Sequence, residues 1–273
     1  MKVSHIFFFF LFVVNLGFAQ SAERIKPIII NPCYYDVSPP LKEMFQDANA
    51  KVDNSWKDGV VKNHQYPKGM GTGNVDAIKN DPNVQSEFGV LKPDTTEQSF
   101  DGVGSNNGVC PPDPCGDVGP NHYVQVVNLQ YAIYSKTGTK LVGPFNTSQL
   151  WSGMPNNANS GDGVVMYDEQ ADRWLISQFS LPNYPNGPFF EMIAISQTAD
   201  PTGSYYRYQY SFTEMPDYPK LGVWGDGYYI CVNRFNASGN YQGPGAGVFD
   251  RSKLLNGTPA ASMIFFPLSS TAL

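Results

Sequence analysis

The sequence predicts an all-β chain of β-propeller-like repeats, preceded by an irregular N-terminal leader. Two observations carry this. An aspartate in a Gly/Pro-rich turn, followed by a short apolar strand ending in Asn or Gln, occurs three times, opening at Asp117, Asp162 and Asp217. These starts lie about 45 to 55 residues apart, the spacing of propeller blades. The composition agrees: it is 14% aromatic and only 15% charged, with 26 Gly and 22 Pro, which suits strands joined by structured turns. About three blades are visible, and a closed propeller needs roughly four to eight. An unclosed ring leaves a strand edge and an apolar face bare. Either the leader contributes strands to a further blade, or, as is expected here, the chain is an incomplete propeller, the N-terminal portion of a longer protein.

Residues 1–19 have the layout of a secretory signal peptide. Lys2 precedes a run from Ile6 to Phe18 that is apolar except for Asn15 and Gly17, and Ala19 stands before Gln20. The run is shorter than the roughly 20 residues a membrane helix needs. Cleavage near Ala19, a secreted or cell-surface location and no membrane span in the mature chain follow as expectations. No Cys stands at the cleavage point to carry a lipid.

Residues 20–107 form the leader, whose hydrophobic pattern is broken. Ser38-Pro39-Pro40-Leu41 reads as an N-cap with prolines in the first turn of a short helix. Ile28 to Ile30 and Phe88 to Leu91 are apolar anchors that could dock the rest.

Residues 108–273 are the repeat region. Strands are predicted at 122–129, 131–135 and 140–142, then at 174–179, 190–196 and 205–212, and finally at 228–235, 247–250 and 263–266. Turn chemistry separates them, as in Lys136-Thr137-Gly138-Thr139 and Asp200-Pro201-Thr202-Gly203.

The mature chain keeps all four cysteines, and an exported protein meets oxidising conditions. Cys110 and Cys115 flank the rigid Pro-Pro-Asp-Pro turn and are the expected disulfide. Cys33 and Cys231 then either pair at long range or stay as buried thiols. The C-x4-C spacing is too loose for a zinc knuckle. A net charge of −6 with 18 basic residues spread thinly lacks the basic footprint of nucleic-acid binding.

Of three histidines, only His64 and His122 lie beyond the signal segment, which argues against a Ser-His-Asp triad. No G-x-S-x-G, H-E-x-x-H or P-loop occurs. His122 opens a strand and reads as a structural hydrogen-bonding residue. Carboxylates are the best candidates for chemistry. Acidic residues at the starts of inner strands converge on a propeller's funnel, where a pair can serve as acid and base or nucleophile. Asp117, Asp162, Asp217 and Asp226 are the catalytic candidates on this view, with Trp174, Trp224, Tyr228 and Tyr229 as stacking faces for a sugar. The competing role for repeated aspartates is to accept backbone N–H bonds in turns. Asp113 and Asp117, in a tight loop, are the candidate ligands should a calcium ion bind; no other cofactor is implied.

Six stretches resemble a group of large secreted bacterial proteins: Asp36-Val-Ser-Pro-Pro-Leu-Lys-Glu-Met, Asp81-Pro-Asn-Val-Gln, Ser99-Phe-Asp-Gly-Val, Pro112-Asp-Pro-Cys-Gly-Asp-Val-Gly-Pro-Asn-His-Tyr-Val-Gln, Tyr167-Asp-Glu-Gln-Ala-Asp-Arg-Trp-Leu-Ile-Ser-Gln-Phe and Asp217-Tyr-Pro-Lys-Leu-Gly-Val-Trp. That group is mostly uncharacterised, propeller-like, and often ends in a sorting domain of the type IX secretion system. The resemblance implies fold and location and carries no activity. No sorting domain is visible in this sequence.

The leading functional expectation is a non-enzymatic secreted or cell-surface protein that binds an extracellular glycan or protein. A propeller-type glycoside hydrolase or lyase using paired carboxylates is the competing class. A purely structural module of a larger surface protein is the third.

Overall fold

The computed structural model describes residues 25–44, 98–104, 109 and 111–269. The expected signal peptide and cleavage point, Phe88 to Leu91 and His64 lie outside them.

Two strands and a helical turn come from the leader: β1 (Ile28–Ile30), β2 (Pro32–Val37) and α1 (Leu41–Met44). The repeat region supplies β3 (Cys115–Val118), β4 (His122–Val127), β5 (Gln130–Ser135), β6 (Lys140–Asn146), β7 (Gly161–Asp168), β8 (Arg173–Ser180), β9 (Phe189–Ser196) and β10 (Tyr205–Phe212). It continues with β11 (Met215–Val223), β12 (Gly227–Phe235), β13 (Tyr241–Asp250), α2 (Arg251–Leu255) and β14 (Met263–Pro267).

These strands form three antiparallel sheets, each around one consecutive meander. Sheet 1 is β3-β4-β5-β6. Sheet 2 is β7-β8-β9-β10 with β2 added outside β10. Sheet 3 is β11-β12-β13-β14 with β1 added outside β14. The all-β expectation holds, and the sheets do not close on themselves. Among the described residues no helix is long and apolar enough to cross a membrane.

The pleat explains how the sheets stack. Side chains alternate between faces along a strand, so Trp174, Ile176, Phe190, Met192 and Ala194 of sheet 2 pack on Val124, Val126, Tyr131 and Ile133 of sheet 1. The intervening Leu175, Phe189, Ile193 and Ile195 pack on Tyr228, Ile230, Phe249, Met263 and Phe265 of sheet 3. Sheet 2 is thus covered on both faces. All eight residues of β9 are buried, which is why it reads Phe-Phe-Glu-Met-Ile-Ala-Ile-Ser rather than as an alternation. The far face of sheet 1 is capped by Val103, packed with Val127, Ala132 and Tyr134, and by the Phe100 ring lying against Tyr123 and Tyr134.

The turns work locally, as their sequences require. Gly138 takes φ 83° and donates its N–H to Ser135. Asp200 accepts from both the N–H and the hydroxyl of Thr202.

Four expectations need correction. The leader is not irregular throughout, because β1 and β2 pair antiparallel with β14 and β10. Asp36 on β2 forms a bidentate pair with Arg207 on β10, at 2.6 and 2.7 Å, while the same guanidinium donates to the carbonyls of Leu150 and Ser152. Ser38 is not an N-cap: its hydroxyl accepts the N–H of Tyr205, and the carbonyl of Pro40 opens α1 by accepting from Glu43 and Met44. Finally, the Cys110–Cys115 disulfide is not formed. Cys110 lies outside the described residues, and Cys115 carries a free thiol. Its sulfur faces β7, accepting from Val165 N–H at 3.5 Å and donating to Val165 O at 3.7 Å, instead of turning back over the proline loop. Cys33 and Cys231 are likewise free and exposed, so they are neither paired nor buried.

Candidate functional site

The first strand of each meander, β3, β7 and β11, is the inner one, and these three lie side by side where the sheets meet. None was legible as a strand in the sequence. Each is interrupted by Gly, Pro or Asp, and β7 and β11 both carry register shifts, at 161/164 and 217/220. The backbone turns left-handed near each start, at Asp113 (φ 34°), Asp162 (φ 50°) and Tyr218 (φ 51°). Asp tolerates that conformation; Tyr does so rarely.

A chain of hydrogen bonds runs across the three starts. Asn128 donates its amide to Asp113 Oδ2 at 3.1 Å, and its Oδ1 accepts Asp162 N–H at 3.0 Å. Asp162 Oδ2 accepts Tyr218 N–H at 3.2 Å. Asp217 stands next to that junction, and no donor reaches its carboxylate among the described residues.

The electrostatics follow from this crowding. Burial, then the charges of Asp162 and Asp113, push the Asp217 carboxyl up to about 6. Asp162 is raised too, by burial and by Asp113, against the pull of Asn128, the Tyr218 N–H and Lys220. Behind them on β9 sits Glu191, fully buried, with neither carboxylate oxygen meeting a hydrogen-bond partner. Burial pushes its carboxyl well up and Asp162 adds to the shift, while the nearby Ser177 pulls the other way without reaching hydrogen-bond geometry. At the rim, the Tyr218 ring is 46% exposed, and Lys220 Nζ lies 3.5 Å from its centroid.

The structure divides the sequence candidates. Asp162 and Asp217 come together and are joined by Asp113. Asp117 does not share their role: its two oxygens accept Val118 N–H and Tyr167 N–H, each at 2.8 Å, stapling β3 to β7. Asp226 sits in the β11–β12 turn, past the opposite end of β11, where it accepts the Tyr229 hydroxyl at 3.1 and 3.2 Å. Trp174 and Tyr228 are core residues and present no stacking face. The indole N–H of Trp174 donates to Ala199 O, and Tyr228 donates to Asp168. Trp224 and Tyr229 are exposed, but they lie with Asp226 and not with Asp217. His122 Nε2 lies 4.0 Å from Asp200 Oδ1, away from Asp162 and Asp217.

The calcium candidates are not assembled into a site. Asp113 is engaged by Asn128 and Asp117 by two backbone N–H groups, and among the described residues no three His, Cys, Asp or Glu side chains are placed to hold a metal ion.

Sequence reasoning gave Asp113 only a metal role and passed over Tyr218 and Glu191. A signal was present for each. An aspartate precedes Pro, Gly or Tyr-Pro at all three inner-strand starts, and Glu191 is a lone charge within an apolar run.

Against known proteins, the chain matches no protein-family model and no curated protein sequence.

Proposed function

We propose that the protein is a secreted or cell-surface module whose three sheets are successive blades of a β-propeller, and that it binds an extracellular glycan where the inner strands begin. Support for the propeller is the repeated order: each meander runs outward from an inner strand, and the chain then returns to the next inner strand. The observation that carries the binding site is the meeting of Asp162 on β7 and Asp217 on β11 with Asp113 from the loop before β3, beside the exposed Tyr218 ring. The Asp217 carboxylate, which no donor reaches among the described residues, can accept sugar hydroxyls, and the exposed part of the Tyr218 ring can pack on a pyranose. Perturbed carboxyl groups cluster at functional sites, which agrees with this reading.

The test is binding of the purified protein to a broad polysaccharide panel, with Tyr218→Ala and Asp217→Asn measured alongside. Binding weakened about 10-fold or more by either substitution is expected, equivalent to at least ~1.4 kcal/mol. No binding by a folded sample, or binding indifferent to both changes, overturns the assignment and leaves a structural module.

A second reading has one specific observation behind it. A carboxyl near 6 beside a second carboxyl group has the arrangement of a general acid and its partner. Release of reducing sugar in the same wells, lost in Asp217→Asn while binding persists, would move the protein to the glycoside hydrolases or lyases.

A further inference from the structure

Negative charge at the inner-strand starts exceeds what the chain itself balances. Asp113, Asp162 and Asp217 crowd together there, and Glu191 stands behind them. Glu191 is on the sheet 3 face of β9, with Phe189 and Ile193, and β11 packs against that strand. In register it lies opposite Phe179, and Phe179 lies opposite Gly161, the residue before Asp162. Its side chain is fully buried, neither oxygen has a hydrogen-bond partner, and the Asp162 charge acts on it. A carboxyl left unpartnered at this depth, beside other carboxyls, is costly until a positive charge reaches the cluster. Lys220 pulls on Asp162, but its ammonium rests on the Tyr218 ring at 3.5 Å, on an exposed side chain, and no donor reaches Asp217.

We propose that the ligand of this site is an amino sugar, a glycan unit with a free protonated amine of the glucosamine type, whose ammonium is held by Asp217 in the field of Asp162, Asp113 and Glu191. The proposal rests on the glycan assignment of the site and narrows it. A neutral hydroxyl would donate to Asp217 and leave the repulsion between the carboxylates in place, whereas an ammonium donates and cancels it. An anionic sugar would add to the repulsion. A bare metal ion needs several side chains converging on one point, and no three His, Cys, Asp or Glu side chains do so among the described residues. A charge carried on a sugar ring suits carboxyls that share a field without sharing a focus, and the Tyr218 ring, 46% exposed, stands where the sugar would pack.

The experiment is titration calorimetry at pH 6 with three oligosaccharides of equal length, built of glucosamine, N-acetylglucosamine and glucose. The glucosamine oligomer should bind about 10-fold or more tighter than the other two, since a charge-assisted hydrogen bond is roughly twice as strong as a neutral one. Its binding should also release protons. The Asp217 carboxyl, pushed up to about 6, is half protonated at that pH, and a cation beside it favours the ionised form. Repeating the titration in buffers of different ionisation heat should therefore show up to about half a proton released from Asp217 per site. Asp217→Asn should remove most of the preference and the proton release together. Equal or weaker binding of the glucosamine oligomer overturns the proposal while leaving the glycan assignment intact. No binding of any of the three also overturns it, and the wider polysaccharide panel then decides the glycan assignment independently. A preference that survives Asp217→Asn overturns it as well, because attraction to the net charge of −6 would then account for it.

Discussion

Replacing Asp217 by Asn should make the protein more stable at neutral pH and leave it unchanged in acid. The Asp217 carboxyl is pushed from 3.8 in the ordinary state to about 6 in the folded one, by burial and by the charges of Asp162 and Asp113. A group whose folded pKa is raised binds its proton more tightly when folded. Its ionisation therefore costs stability above the folded value and nothing below the unfolded one. At about 1.4 kcal/mol per pH unit, the full cost above pH 7 is about 3 kcal/mol. Asp217 retains some contact with water, so about 2–3 kcal/mol is the expected gain on removing the charge. For a domain of this size that corresponds to roughly 4–12 °C in Tm. The assay is urea denaturation of wild type and Asp217→Asn at intervals from pH 3.5 to 8. The two curves should coincide near pH 3.5, diverge through pH 4 to 6 and run parallel above pH 7. A pH-independent difference, or an Asn variant less stable at pH 8, would refute the reasoning, because it would mean that the carboxylate has a stabilising partner.

Two further changes test the packing. Asp168 is buried and accepts from Arg251 Nε and Nη2 at 2.7 and 2.9 Å and from the Tyr228 hydroxyl at 2.6 Å; burial raises its carboxyl, but Arg251, Tyr228 and the Ala171 N–H outweigh burial and hold it below its usual value. Asp168→Ala should cost about 3–5 kcal/mol at pH 7 by stranding the guanidinium, with the loss shrinking as pH falls through the carboxylate range, measured by the same denaturation series. At Gly245 an added Cβ would stand 2.3 Å from Phe265 Cζ and 3.0 Å from Val232 Cγ2 in the core between sheets 2 and 3, so Gly245→Ala should cost about 1–3 kcal/mol in thermal unfolding.

Nine strands of the repeat region were legible in the sequence, with boundaries close to those observed at β8, β9, β10 and β12. They are runs of β-branched and aromatic residues between turns whose chemistry is local: Gly138 and Asp200 need only their own neighbours to form a turn. The inner strands were not legible, since their Gly, Pro and Asp residues look like loop. They are held as strands by β4, β8 and β12 and by contacts between sheets such as Asp117 with Tyr167 N–H. The same divide separates the site residues. That aspartates recur at repeat starts could be read from spacing, and Asp162 and Asp217 were found that way. That Asp113 joins them, that Asp117 is consumed as a staple and that Trp174 and Tyr228 are core depends on which sheet packs on which.

The sequence by itself determined the all-β class, the repeat period and most of the meander strands, because alternation, β-propensity and turn chemistry act over a few residues. Tertiary structure alone decided that the leader adds edge strands to two sheets, that Cys115 faces Val165 and carries no disulfide, and that three carboxylates from separate repeats crowd together and raise the Asp217 carboxyl. Those outcomes rest on contacts between residues far apart in the sequence, and burial and Coulomb repulsion depend on distance in space, which no local pattern of residues encodes.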